Sequence, residues 1–274
     1  MKWTPLGSSV IGASHKKKNI VNQDSISISK EEPVTVAVSD GHGAKKYIRS
    51  HQGSHLATEA IIKVVKEALP LHNKMPDIDG AIRHIKNRFL IQWQEDVESL
   101  LETSPFSEEE LKFLEENITE KDFRLLKENP RLAFGCTFLC AIAYQENLVL
   151  IMYHGDGDVM GLYNNKVKEL STYDSRNFAG GTLSLGSLKD ASEIGHQILT
   201  GDDIPNLITI STDGIKNSYN DTVPEEIEQF YKIPVAIKTG LEKGKNIRQA
   251  LETLLETITE NGSGDDVTLG VMYK

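Results

Sequence analysis

Three hydrophobic runs in the 274-residue sequence end in the same two residues. Val34-Thr35-Val36-Ala37-Val38-Ser39 leads into Asp40-Gly41, "VLIMYHG" leads into Asp156-Gly157, and "NLITIST" leads into Asp213-Gly214. Runs of this length and β-branched content predict strands, so each sets a carboxylate where a strand leaves the core. Asp24 stands directly before the alternating Ser25-Ile26-Ser27-Ile28-Ser29, and Asp265-Asp266 directly before "VTLGVMY". One Asp-Gly after a strand is ordinary turn chemistry. Five strand ends carrying acids are a constraint on the fold, because carboxylates gathered at one rim of a sheet repel one another unless a cation neutralises them.

The remaining patterning sets the fold class. "SISIS" and "VTVAV", separated by a charged turn with Pro33, predict a hairpin. Ile48, Leu56, Ala60, Ile61, Val64, Val65 and Leu69 fall at helical intervals, which predicts a helix from Ala44 to about Leu69 with Pro70 as its stop. A second helix is expected from about Ile78 to Leu101. Within an acidic segment at about 75–130, Ser107 followed by three glutamates marks the start of one or two short helices. After Pro130 the runs "GCTFLCAIAY", "NLVLIMYHG", "DVMGLY" and "KVKEL", with turns at Gln145-Glu146-Asn147 and Asn164-Asn165, predict an antiparallel meander. "NLITIST", the amphipathic "IRQALETLLETIT" and the strand "DVTLGVMY" close the chain. Strands and helices come in groups, which favours α+β over a doubly wound parallel sheet. No linker divides the sequence, so residues 1–274 are expected to form a single domain.

Charge and cysteine usage exclude some functions. Forty acidic against 30 basic residues give a net charge of −10, which argues against nucleic acid as a partner and suits a protein that concentrates cations. No apolar run reaches the ~20 residues of a membrane span, and nothing near Met1 has the length of a secretory signal. A cytoplasmic protein with no membrane partner is expected. Cys136 and Cys140 lie four steps apart on one strand, about 13 Å, too far for a disulfide, so both are expected to be buried thiols.

Oxygen-only ligand sets suit magnesium or manganese. The glycine after Asp40, Asp156 and Asp213 lets the backbone approach a ligand closely and turn its carbonyl inward. Two such cations sharing a carboxylate can hold a water, lower its pKa and aim it at a phosphoryl group. His42, one residue beyond Asp40-Gly41, can give a proton to a leaving oxygen, its ordinary pKa being close to neutral.

The words "NQD", "VSDGHG", "GCT", "GDGD", "STDG" and "GDDVT", in this order and spread from about Gly7 to Met272, resemble the PPM family, the metal-dependent type 2C serine/threonine protein phosphatases. The form "GASHKKKNIVNQD" is most similar to the bacterial branch. The resemblance implies a central sandwich of two antiparallel sheets with helices on both outer faces, and a dinuclear magnesium or manganese site at one end. Residue by residue, it implies that Asp40 bridges the metals, that the Gly41 carbonyl joins one of them, and that Asp213 and Asp265 complete the shell of the other. Asp24 would act catalytically through metal-held water, Asp156 would serve a third, looser metal, and His42 would be the general acid. The implied substrate is a phosphorylated protein, the opponent of a serine/threonine kinase.

Three departures stand out. Where family members often carry a phosphate-gripping arginine, this sequence has Asn19; His15 and Lys18, within "SHKKK", are the nearby candidates for phosphate contact. The closing word has Asp266 where asparagine is usual, which either raises cation affinity or faces solvent. The 75–130 segment matches the family pattern less closely. Other constellations read more plainly: His51 and His55 as a helix face, "EKGKN" as no phosphate loop, Trp3 and Trp93 as packing residues. "AGGTLSLGS", residues 179–187, reads as a strand entered through a flexible loop that borders the catalytic rim. The leading expectation is a protein phosphatase. The alternatives are a catalytically silent phosphoprotein-binding or scaffolding member of the fold, and a phosphatase of small phosphoesters.

Overall fold

A computed structural model describes residues 2–72, 77–144, 147–170, 182–244 and 246–274. Its strands are β1 (Thr4–Val10), β2 (Ser25–Ser29), β3 (Val34–Ser39), β4 (Phe138–Tyr144), β5 (Leu148–His154), β6 (Asp158–Tyr163), β7 (Lys166–Leu170), β8 (Gly195–Thr200), β9 (Leu207–Ser211) and β10 (Val267–Tyr273). The helices are α1 (Ala13–Lys18), α2 (Ser50–His72), α3 (Ile78–Thr103), α4 (Glu108–Asn117), α5 (Glu120–Glu128), α6 (Asp213–Lys216), α7 (Pro224–Glu242) and α8 (Ile247–Asn261). Two antiparallel five-stranded sheets form, in the orders β1-β10-β9-β6-β7 and β2-β3-β4-β5-β8.

The strands are hydrophobic on both faces because both faces are covered. Along β4, Leu139, Ala141 and Ala143 meet Ile208, Ile210 and Met272 of the opposite sheet. The alternate residues Phe138, Cys140 and Ile142 face outward into a second core with Phe89 and Trp93 of α3 and Ile61 and Val65 of α2. On the far side, Leu207, Leu269 and Val271 pack under Phe230 and Ile237 of α7 and Leu251 and Leu255 of α8. The two-residue period of a strand divides each run between two cores, and each large side chain so buried contributes about 1.5–3 kcal/mol. The result is the expected α-β-β-α sandwich.

Several elements differ from expectation. The helix after the first acid begins at Ser50, not Ala44, because the Arg49 N–H donates to Ala133 O at 3.0 Å and residues 44–47 form a turn, Tyr47 N–H to Ala44 O at 2.8 Å. It also runs past Pro70 to His72. The acidic segment resolves into α4 and α5, and Ser107 and Glu110 form a complete capping box. The expected meander is two hairpins in different sheets: β4 and β5 pair in one, β6 and β7 in the other. The chain changes sheets at Gly155-Asp156-Gly157, where Gly155 has φ 129°. Asn164 and Asn165, both at positive φ, make the expected turn, whereas Gln145 and Glu146 lie outside the described residues. Residues 182–184 are irregular and Leu185–Ser187 is a 3-10 turn, not a strand; residues 179–181 of that stretch lie outside the description. Sequence patterning does not anticipate β1, β8, α1 or α7. Trp3 and Trp93 are buried, and both cysteines are free and buried, as expected.

Candidate active site

Strand register puts the acids at one rim. The start of β2 pairs with the end of β3 through Ser25 and Ser39, and the end of β5 pairs with the start of β4 through His154 and Phe138. In the other sheet the end of β1 lies beside the start of β10 through Val10 and Val267, and the end of β9 follows through Ser211 and Leu269. Asp24, Asp40, Asp156, Asp213 and Asp265 therefore leave or enter their strands at the same end of the sandwich.

Neighbouring motifs fix each acid. The Asp40 N–H donates to Thr137 Oγ1 at 2.9 Å, and the Asp40 carbonyl accepts from the Thr137 N–H at 2.8 Å. Gly135 of the same "GCT" word accepts from the His42 N–H at 3.1 Å. Gly41 is glycine because a Cβ there would lie 2.7 Å from Gln23 O and 2.8 Å from Ser50 O, closer than side-chain packing allows. Asp213 opens α6 and accepts at Oδ2 from Asn217 Nδ2 at 2.8 Å. Asp156 accepts at Oδ2 from the Thr182 hydroxyl at 2.8 Å. Asp24 is buried, and its Oδ2 accepts from the hydroxyls of Thr212 and Thr268, each at 2.7 Å. Asp265 is exposed, its Oδ1 accepting from the Asp266 N–H at 2.9 Å.

Asp40, Gly41, Asp156, Asp213 and Asp265 all line one cavity of about 240 Å³, which His15, His42 and Thr182 also border. Asp24 is buried and is not among the lining residues. Burial, and then the charges of Asp24 and Asp213, push the Asp40 carboxyl well above its usual range. Burial and then Asp156 raise Asp213 to about 6. Asp24 is pushed up to about 8 by burial, against the two threonine hydroxyls that favour its charged form. The Asp40 and Asp213 carboxyl groups lie close enough to perturb one another, and two like charges so placed repel. A divalent cation in that place removes the repulsion. Five aspartates line the cavity, and four of them, Asp40, Asp156, Asp213 and Asp265, with the Gly41 carbonyl offer a hard, all-oxygen donor set that fits magnesium or manganese.

The His42 ring packs against that of Tyr47, centroids 4.8 Å apart and the planes tilted by 56°. Its Nε2 is buried without a hydrogen-bond partner among the described residues. Burial, then His154 and Lys46, lower its pKa to about 4, so the near-neutral value expected from an unperturbed histidine does not describe the free protein. A phosphate dianion entering the cavity opposes that shift.

The phosphate candidates separate. His15 borders the cavity, whereas Lys18 is exposed at the end of α1 and is not among the lining residues. Asn19 is exposed at φ 54° and caps α1. Asp266 does not face solvent: it is 3% exposed, with Oδ1 accepting from the Gly12 N–H and Oδ2 from the Gln23 N–H, both at 2.6 Å. Residue-type reasoning passes over Gln23, Thr137, Thr182, Thr212 and Thr268. The words "NQD", "GCT", "STDG" and "DDVT" contain Gln23, Thr137, Thr212 and Thr268, whereas Thr182 lies in no such word. His51 and His55 sit on α2, and the one His/Asp cluster of metal-binding dimensions among the described residues is His15, Asp265 and Asp266.

A helix-flanked double sheet whose strand ends converge on an acid-lined cavity, with a histidine beside the acids, defines a phosphatase of the PPM type. Residues 11–256 match the family described as Protein phosphatase 2C, and the chain belongs to that family. Comparison with curated proteins gives no match. Among solved structures, PppA, a key regulatory component of T6SS in Pseudomonas aeruginosa, superposes with a TM-score of 0.61 at 14% identity, over 100% of this chain and 98% of that one. The catalytic domain of the serine threonine protein phosphatase PstP, in complex with two manganese ions, gives 0.55 at 14% identity, over 99% and 97%. The PPM Ser-Thr phosphatase MsPP from Mycobacterium smegmatis, in complex with cacodylate, gives 0.53 at 17% identity, over 98% and 97%. At these identities the likeness is one of fold.

Proposed function

We propose that this chain is a metal-dependent serine/threonine protein phosphatase, acting as one domain in the cytoplasm against the product of a serine/threonine kinase. The observation that carries the reading is the convergence of Asp40, Asp156, Asp213 and Asp265, with Gly41, on one cavity. In this reading Asp40, the Gly41 carbonyl, Asp213 and Asp265 would hold two magnesium or manganese ions. Asp24 would act through water held by them, and Asp156 would serve a third ion. Bound there, the cations supply Lewis acidity at the phosphoryl oxygens and lower the pKa of water.

The protein's own groups do the rest. Thr137 holds Asp40 by both its backbone groups, so the carboxylate is set before substrate arrives. The Tyr47 ring and the Gly135 carbonyl fix His42, whose Nε2 has no competing partner among the described residues. As the phosphate ester opens, His42 protonates the departing serine or threonine oxygen. His15, on the cavity wall, offers an N–H to a phosphate oxygen. No phosphoenzyme forms.

Asn19, in the place of the family's arginine, favours one other reading, a phosphoprotein-binding member that does not turn over. Substrate class is tested by comparing a panel of phosphoserine and phosphothreonine peptides with small phosphoesters at saturating manganese. Higher kcat/KM on peptides is expected. Equal or better turnover of the small esters contradicts a protein substrate, and binding of the peptides without phosphate release favours the silent reading.

A further inference from the structure

A phosphate group entering this cavity meets five aspartates and no lysine or arginine among the described lining residues. Protein donors to it must come from His15, His42, Gln23, Thr182 or backbone. His42 is assigned to the leaving oxygen. The Gln23 side-chain amide is committed to the Ser50 hydroxyl at 2.7 Å, and the Thr182 hydroxyl to Asp156 at 2.8 Å. Among the side chains that leaves His15, whose position is set by a residue outside the metal set. Its Nδ1 lies 3.0 Å from Asp266 Oδ1, and its Nε2 lies 3.7 Å from Asp265 Oδ1 at the cavity. The His15 side chain is 13% exposed and that of Asp266 2%. The buried Nδ1 makes no regular hydrogen bond among the described residues, so the close Asp266 oxygen is its electrostatic partner.

Asp266 also holds the backbone that carries His15. It accepts from Gly12, at the N-cap of α1, and from Gln23, beyond its end. Three nitrogen groups thus converge on two oxygens. Only a carboxylate offers acceptors at both. An asparagine would turn its NH₂ against one of these N–H groups. Asp266 is therefore better read as an anchor than as an added cation ligand, since both its oxygens already receive short bonds.

We propose that Asp266 is a positioning residue that holds His15 as the phosphate-contacting donor of the site. The inference rests on the phosphatase reading for its purpose, but its test reads phosphate binding directly.

Inorganic phosphate is titrated calorimetrically into the full-length protein loaded with manganese, as wild type, His15→Gln, Asp266→Asn and the double variant, with KM and kcat for 4-nitrophenyl phosphate measured alongside. His15→Gln is expected to weaken phosphate about ten- to a hundredfold, the loss of one hydrogen bond to a charged group, and to raise KM more than it lowers kcat. Asp266→Asn is expected to weaken phosphate about tenfold in wild type, with no further loss in the His15→Gln background and with manganese affinity retained. Additive losses, or wild-type phosphate affinity in His15→Gln, overturn the proposal. If Asp266→Asn does not fold, Asp266→Glu replaces it, with the same requirement of non-additivity. A wild type that binds phosphate but hydrolyses nothing defeats the phosphatase reading while leaving the His15–Asp266 coupling to be decided by the titrations.

Discussion

Replacing Arg49 by alanine tests whether the acidic helical segment is fastened to the catalytic rim by one side chain. Arg49 is 5% exposed and lies seven residues beyond His42. Its Nε and Nη2 donate to the two carboxylate oxygens of Glu110 at 2.8 and 2.7 Å. Nη1 donates to Ser104 O at 2.6 Å, Nη2 also to Pro105 O at 3.0 Å, and the guanidinium lies 4.6 Å from the Phe106 ring. Glu110 is also the closing residue of the α4 capping box. Breaking a buried ion pair by removing one partner costs about 3–5 kcal/mol. Glu110 keeps 29% of its side chain in solvent, so water takes over part of its solvation, and the expected loss is about 2–3 kcal/mol.

The pH dependence follows from Glu110. The Arg49 hydrogen bonds hold its pKa below the ordinary 4.5. A carboxylate with a depressed folded pKa contributes stability that is present above its unfolded pKa and is lost as pH falls through the folded one. The gap between wild type and Arg49→Ala should therefore be full at neutral pH and shrink once pH falls below 4.5. Urea unfolding of both proteins at neutral pH and at about pH 4 measures it. A gap under about 1 kcal/mol at neutral pH, the worth of an exposed pair, or one that does not change with pH, refutes the fastening.

Two further substitutions probe the site. Thr137→Val leaves the Asp40 N–H without its acceptor, at a cost of about 1–3 kcal/mol; the protein is expected to fold and to lose about tenfold or more in manganese-dependent kcat, and wild-type kcat would show that Asp40 needs no such support. His42→Ala is expected to slow phosphothreonine peptide hydrolysis about 100-fold or more and 4-nitrophenyl phosphate, with its good leaving group, much less. Equal losses on the two substrates contradict the general-acid role.

Much of this fold can be read from local pattern where local pattern decides. The "SISIS" and "VTVAV" strands, the Ser107–Glu110 cap and the Asn164-Asn165 turn depend on residues next to one another, and they form as read. What resists reading depends on distant contacts. β1 mixes Thr, Pro, Gly and Ser and becomes a strand by pairing with β10, over 250 residues away. α7 carries Pro234 in its interior and is held by packing on the β6, β7 and β9 strands. The start of α2 moves to Ser50 because Ala133, from another part of the chain, captures the Arg49 amide.

The site divides in the same way. Asp-Gly after a hydrophobic run is visible in sequence, and those acids do converge on one cavity. The groups that aim them are hydroxyls and amides whose partners lie far along the chain: Thr137 on Asp40, and Thr212 and Thr268 on Asp24. Asp266 shows the limit most sharply. Its neighbours in sequence suggest a cation ligand or a solvated acid, and only the three-dimensional arrangement brings Gly12, Gln23 and His15 to its two oxygens.

The central claim is that Asp40 and the acids beside it hold the cations that make this chain a phosphatase. Release of inorganic phosphate from a phosphothreonine peptide, measured for wild type and Asp40→Asn with manganese, magnesium or EDTA, tests it directly. The account predicts release by wild type that requires the cation, and a rate at least about 100-fold lower in a folded Asp40→Asn protein. Hydrolysis that persists in EDTA, or a wild-type rate in Asp40→Asn, contradicts it.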